Sequence, residues 1–136
     1  MSARNPLDPD ALLQSMPFAR FLGVRLDLAG DELTARLPFI DPLVGNPMIP
    51  ALHGGVIGAF MEITAMAQLA LSEKFDPPPK PINVSIQYLR SGRTAQTYAR
   101  ATLNRVGRTI ANVGVVAWQD DQAHPIATLQ MHFLLG

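Results

Sequence analysis

His53-Gly54-Gly55, followed nine residues after the histidine by Glu62, is where residue type and spacing could carry chemistry. The two glycines head an apolar run that reads as a helix. Backbone N–H groups at a helix start, with the positive end of its dipole, stabilise charge developing on a carbonyl oxygen. Gly55 suits that role because no side chain blocks the approach, and loss of one such donor typically costs ~3 kcal/mol of transition-state stabilisation. Glu62 is the one charged side chain between Gly54 and Ser72. A carboxylate in an apolar helix is costly unless it is paired or functional. It acts either as nucleophile or as general base, or it is a structural carboxylate paired with an arginine of another subunit. The catalytic reading ranks first. His53 would position the reacting carbonyl, although the commoner fate of a lone histidine is a cap or a loop. Thr64 is a candidate to hydrogen-bond substrate or water, against the ordinary habit of a helical threonine of bonding its own backbone. His124, beside Pro125, and His132, on the polar face of the last strand, read as structural or solvated.

A second constellation is electrostatic. From Pro77 to Gln119 there is no acidic residue, while Lys80, Arg90, Arg93, Arg100, Arg105 and Arg108 all fall there. Arg90, Arg93, Arg105 and Arg108 lie near strand ends, and as a set they favour an anionic ligand, phosphate above all. Over the whole chain, 11 basic and 11 acidic residues balance, which argues against a general nucleic-acid binder. With no cysteine, disulfides, thiolate metal sites and cysteine nucleophiles are excluded. No metal-ligand spacing, phosphate-binding glycine loop or Gly-x-Ser-x-Gly elbow is present, so neither metal nor cofactor is expected.

The elements that must position these residues follow from periodicity. A chain of 136 residues is expected to form one domain, residues 1–136, with an N-terminal arm over 1–17 and a core over 18–135. Leu12, Leu13 and Met16 suggest a short helix capped by Asp8 or Asp10 and ending before Pro17, with Phe18, Phe21 and Leu22 anchoring it to the core. Val24, Leu26 and Leu28, then Leu33, Ala35 and Leu37, alternate with polar residues around Gly30-Asp31 as a hairpin. Pro38 to Leu52 is a proline-broken loop. The helix from about Gly54 to Lys74 shows no hydrophilic stripe and is expected to be buried all round. After the stiff connector Asp76 to Pro81, four strand-like runs follow: Ile82–Tyr88, Tyr98–Val106, Ile110–Trp118 and Ala127–Phe133. One apolar helix followed by a meander predicts an α+β fold in which a curved antiparallel sheet wraps that helix.

Leu52-His53-Gly54-Gly55-Val56-Ile57-Gly58 with its acid at nine residues, Tyr88-Leu89-Arg90-Ser91-Gly92, and Arg105-Val106-Gly107-Arg108 together resemble hotdog-fold thioesterases of the phenylacetic-acid-degradation type. The resemblance runs from about Phe18 to Leu135. It implies a hotdog fold, hydrolysis of an acyl-CoA thioester, and a homodimer, often paired into a homotetramer. Active sites then lie at the dimer interface, the histidine and glycines of one subunit facing the carboxylate of the other. Relatives usually carry Asn or Gln six residues before the histidine. That position is Pro47 here, so Asn46 is the nearest candidate for the role.

Coenzyme A, with its 3′-phosphate and pyrophosphate, is the anion the arginines would meet, with Gly54 and Thr64 added as substrate contacts. Two alternatives remain, a hotdog hydratase or dehydratase acting on acyl thioesters, and a non-catalytic acyl-CoA-binding module. The first six residues lack the pattern of a secretory signal, so a cytoplasmic location is expected. Residues 54–72 are long enough to imitate a membrane span, yet Glu62 in their middle favours a buried soluble helix.

Overall fold

The computed structural model describes residues 9–30, 32–38, 54–73, 75 and 77–135. Two short helices open the chain, α1 (Pro9–Gln14) and α2 (Pro17–Leu22). Leu12 and Leu13 are buried, as their spacing predicts. Pro17 does not simply end α1. It begins α2, at a position where its missing N–H costs nothing. Gly23 closes α2 at φ 77°, its N–H donating to the Arg20 carbonyl. Because Ala19 and Leu22 take the inward face of α2, Phe18 and Phe21 point outward. They are 52% and 69% exposed and stack on each other, so they do not anchor the arm as expected.

The hairpin forms as read, β1 (Arg25–Ala29) against β2 (Glu32–Leu37), with Leu28 opposite Leu33 and Gly30 at φ 63° in the turn. Asp31 and the loop residues 39–53 lie outside the described residues. Helix α3 (Gly54–Ser72) is followed by β3 (Lys80–Tyr88), β4 (Thr97–Val106), β5 (Ile110–Trp118) and β6 (Ala127–Leu134). All pairings are antiparallel, in the order β1-β2-β4-β5-β6-β3. The last four strands are therefore not a simple meander. β3 passes over β4 and β5 in the order and pairs with β6, fixed by Val84 opposite Met131 and Ile86 opposite Leu129.

Alternation in β4, β5 and β6 sends Ala99, Val113, Val115, Leu129 and Met131 onto one face, where they bury Ile57, Phe60, Met61 and Ile63 of α3. A register shift between Leu103 and Arg105 bends β4, a normal device for curling a sheet around a helix. Among the described residues α3 is the one helix long and apolar enough to cross a membrane, and here it is the core helix of the sheet.

Coverage by the sheet is incomplete in two places. Gly55, Ala59, Glu62, Met66 and Ala70, spaced by three and four residues, form a stripe along α3 that is half-buried or exposed. The helix is thus not buried all round, as expected from its composition. On β3, Val84 and Tyr88 face the helix side of the sheet, opposite the buried Met131 and Ala127, yet are 42% and 53% exposed. The apolar side of this edge strand is covered only in part by its own chain, with Ile86 half-buried between them.

Candidate active site

The start of α3 is fixed by the end of β3. Leu89 N–H donates to the Ile126 carbonyl at 2.8 Å, holding the end of β3 against the start of β6. From there the Tyr88 hydroxyl donates to the Gly54 carbonyl at 2.8 Å. Gly58 makes this approach possible. A Cβ on it would meet Ile86 Cδ1 at 3.0 Å and Tyr88 Oη at 3.2 Å, tighter than ordinary contact. Tyr88 thus tethers the helix start, a contact that sequence reasoning did not find because a phenol at the end of a strand does not reveal its partner. Tyr88→Phe is expected to lower stability by about 1 kcal/mol through the lost bond to Gly54, measured by denaturant unfolding. It should also lower kcat more than it raises KM, because the helix start would be less firmly aimed.

Gly55 lies exposed in the first turn of α3, and Glu62 lies half-buried on the same face two turns on. Seven residues at ~1.5 Å rise separate them by roughly 10 Å along the axis. Among the described residues Glu62 has no ion-pair or hydrogen-bond partner. His53 and Asn46, with Pro47, lie outside the described residues. Thr64 departs from its expected role: it is fully buried, and its hydroxyl donates to the Phe60 carbonyl at 2.8 Å, the backbone habit of helical threonines.

The arginines divide by position. Arg105 and Arg108 come together around a cavity of about 390 Å³ at the β4–β5 turn, with Thr109, Asn112 and His132 in its wall. His132 is held there between Asn83 at 2.8 Å and Asn112 at 3.1 Å. This is the end of the sheet where Lys80 and Ile110 flank Leu134. Arg90 and Arg93 follow Tyr88 at the opposite end of β3, so a single chain does not gather all four around one anion. Arg93 also has an acidic neighbour, Asp120, which pairs with it across 2.5 Å. Reading the stretch as free of acids missed this contact because Asp120 lies just beyond it in sequence. His124 is an exposed turn residue bonded to Asp121. The Ala123 N–H, and then His124, hold the Asp121 carboxyl below its usual range.

Known proteins share this architecture. A solved structure from Chromobacterium violaceum is 34% identical and superposes with a TM-score of 0.77 over 94% of this chain and 89% of that one. A thioesterase from Haemophilus influenzae, 20% identical, superposes at 0.83 over 98% and 94%, and shows the same fold. A phenylacetic acid degradation-related protein from Ralstonia eutropha, 21% identical, superposes at 0.77 over 88% and 89%. In sequence, the medium/long-chain acyl-CoA thioesterase YigI of Salmonella typhimurium is 28% identical over 89% of this chain and 86% of its own length. The α+β hotdog architecture expected from the sequence is therefore the observed one. The thioesterase superfamily model matches residues 50–126, from just before the His53 motif to the start of β6, and the chain belongs to the thioesterase superfamily.

Proposed function

We propose that this thioester hydrolase cleaves acyl-CoA to a free acid and CoA, with Glu62 as nucleophile or general base, at a site shared by two copies of one single-domain chain. The observation that carries the reading is Glu62 itself, a half-buried carboxylate without a partner among the described residues, on the stripe of α3 that its own chain leaves open. The name of the relative YigI, an acyl-CoA thioesterase, points to the same substrate class.

The Gly55 N–H, at the positive end of α3, donates to the thioester carbonyl oxygen as it gains charge. His53 orients the thioester, and Asn46 orients the substrate or the attacking water. Glu62 either attacks the carbonyl carbon, giving an acyl-glutamyl anhydride that water then opens, or takes a proton from the water that attacks. In both routes the C–S bond breaks and CoA leaves as the thiol.

Roughly 10 Å of helix axis is too far for one carbonyl group to touch both Gly55 and Glu62 of one chain. A second copy resolves the distance. β3 is a nine-residue edge with Val84 and Tyr88 exposed on its apolar side, a surface suited to pairing with another strand. Antiparallel pairing of β3 with itself about a two-fold axis continues the sheet and brings the Tyr88 end of one copy beside the Lys80 end of its partner. Arg90 of one copy then lies on the same side as Arg105 and Arg108 of the other, and the CoA phosphates bind between them. The cytoplasmic location expected from the sequence belongs to this proposal too.

Free-thiol release from a panel of aromatic and straight-chain acyl-CoAs tests the reading, with turnover as the expected result. A change in the enoyl-thioester ultraviolet signal without thiol would instead indicate hydration or dehydration, and stoichiometric binding without turnover a binding module. Replacing Arg105 and Arg108 together by alanine should raise KM for acyl-CoA about tenfold, the scale of one charge-assisted hydrogen bond. KM for an acyl-pantetheine thioester, which lacks the nucleotide phosphates, should stay unchanged.

A further inference from the structure

Resting on that reading, we infer that the cavity beneath α1 seats the distal tail of a straight, unsubstituted acyl chain, and that α1 sets the longest chain the enzyme favours. The cavity holds about 420 Å³. Leu12 of α1 and Met16, at the N-cap of α2, roof it, Met66, Leu69 and Ala70 of α3 form its floor, and Phe133 of β6 closes one side.

Its chemistry selects the occupant. Ser15, in the wall, has its hydroxyl committed to the Leu12 carbonyl at 2.7 Å, and Glu73 sits exposed at the rim. Neither side chain offers a buried partner to a polar ligand atom, so a hydroxylated or charged group entering here would lose its water without replacement. Methylenes lose nothing. Two methionines in the lining, Met16 and Met66, adapt to a flexible chain more readily than branched side chains would.

Its position ties it to the reacting group. Met66 is one helical turn beyond Glu62 on the uncovered stripe, and Ala70 is one turn further. A thioester carbonyl held at Glu62 therefore has its tail leading along that stripe towards the cavity. From Glu62 to Glu73 is roughly 16 Å at 1.5 Å rise per residue. At about 30 Å³ per water-sized group, the volume holds on the order of ten methylenes. Length and volume together point to chains of medium length.

The test measures kcat/KM along a series from butanoyl- to hexadecanoyl-CoA. In the wild type kcat/KM should climb by up to about fourfold per methylene once the tail reaches Met66, then level off when the cavity is full. Ala70→Phe fills the floor, and Ser15→Phe, in the solvent-exposed wall just after α1, narrows the space with little risk to folding. Each should cut the ratio of decanoyl-CoA to butanoyl-CoA kcat/KM at least tenfold. An unchanged ratio in both variants, with butanoyl-CoA still hydrolysed, overturns the seat. If the wild type hydrolyses no thioester at all, the hydrolytic reading fails, and the ratio is read from calorimetric affinities: a lowered decanoyl-to-butanoyl ratio in the variants supports the seat, an unchanged one overturns it.

Discussion

Glu62→Gln is expected to lower kcat for acyl-CoA hydrolysis about a thousandfold, the middle to upper range for loss of a positioned base, while acyl-CoA binding and the unfolding midpoint stay near wild type. Both halves follow from the surroundings of the side chain. Glutamine keeps the size and hydrogen-bonding reach of glutamate but cannot attack a carbonyl or take a proton from water. Among the described residues no basic group balances Glu62, so removing its charge leaves no buried cation behind. A structural carboxylate would behave in the opposite way. If Glu62 served only to pair with an arginine of another subunit, the glutamine variant would lose several kcal/mol of assembly stability and keep most of its kcat. Steady-state kinetics beside thermal unfolding and light scattering separate the two outcomes.

Glu62 was legible because a single charge in nineteen residues of helix is conspicuous against apolar neighbours, and because the glycines before it mark where the helix begins. The strands were legible for a related reason: alternation in Ala127 to Phe133 assigns each side chain to a face, and the structure keeps those faces. Alternation carries no information about which strand lies next door. The link from Leu89 to Gln96 is longer than a usual hairpin loop, but length alone does not say that β3 pairs with β6 at the far edge from β2. Apolarity was similarly ambiguous in α3. Ala59, Met66 and Ala70 look like core residues, but their own chain covers them only in part, and composition alone cannot say what completes the cover. Phe18 and Phe21 show the same limit, since their apolar character suggested an anchor and helical geometry turned them outward. Tyr88 on Gly54 and Arg93 on Asp120 join residues 34 and 27 positions apart, contacts fixed by tertiary structure and invisible to local spacing.

The central claim is that Gly55 and Glu62 act together only across two copies, and a second large effect follows from it. Gly55→Val should be nearly inactive, because a branched side chain at the helix start stands where the carbonyl oxygen must approach; loss of that donor alone costs about a hundredfold to a thousandfold. Glu62→Gln is inactive for its own reason. In a mixed dimer of the two, one site combines the intact Gly55 of the Glu62→Gln chain with the intact Glu62 of the Gly55→Val chain, and the other site carries both lesions. Equal amounts unfolded and refolded together form mixed dimers as about half of the population, each with one working site of two, so about a quarter of wild-type activity returns. Refolding each variant alone provides the baseline. Recovery to about a quarter from two nearly inactive preparations is the predicted result. No recovery, with mixed dimers shown to be present by mass spectrometry, would contradict a shared site and return Glu62 and Gly55 to separate roles within one chain.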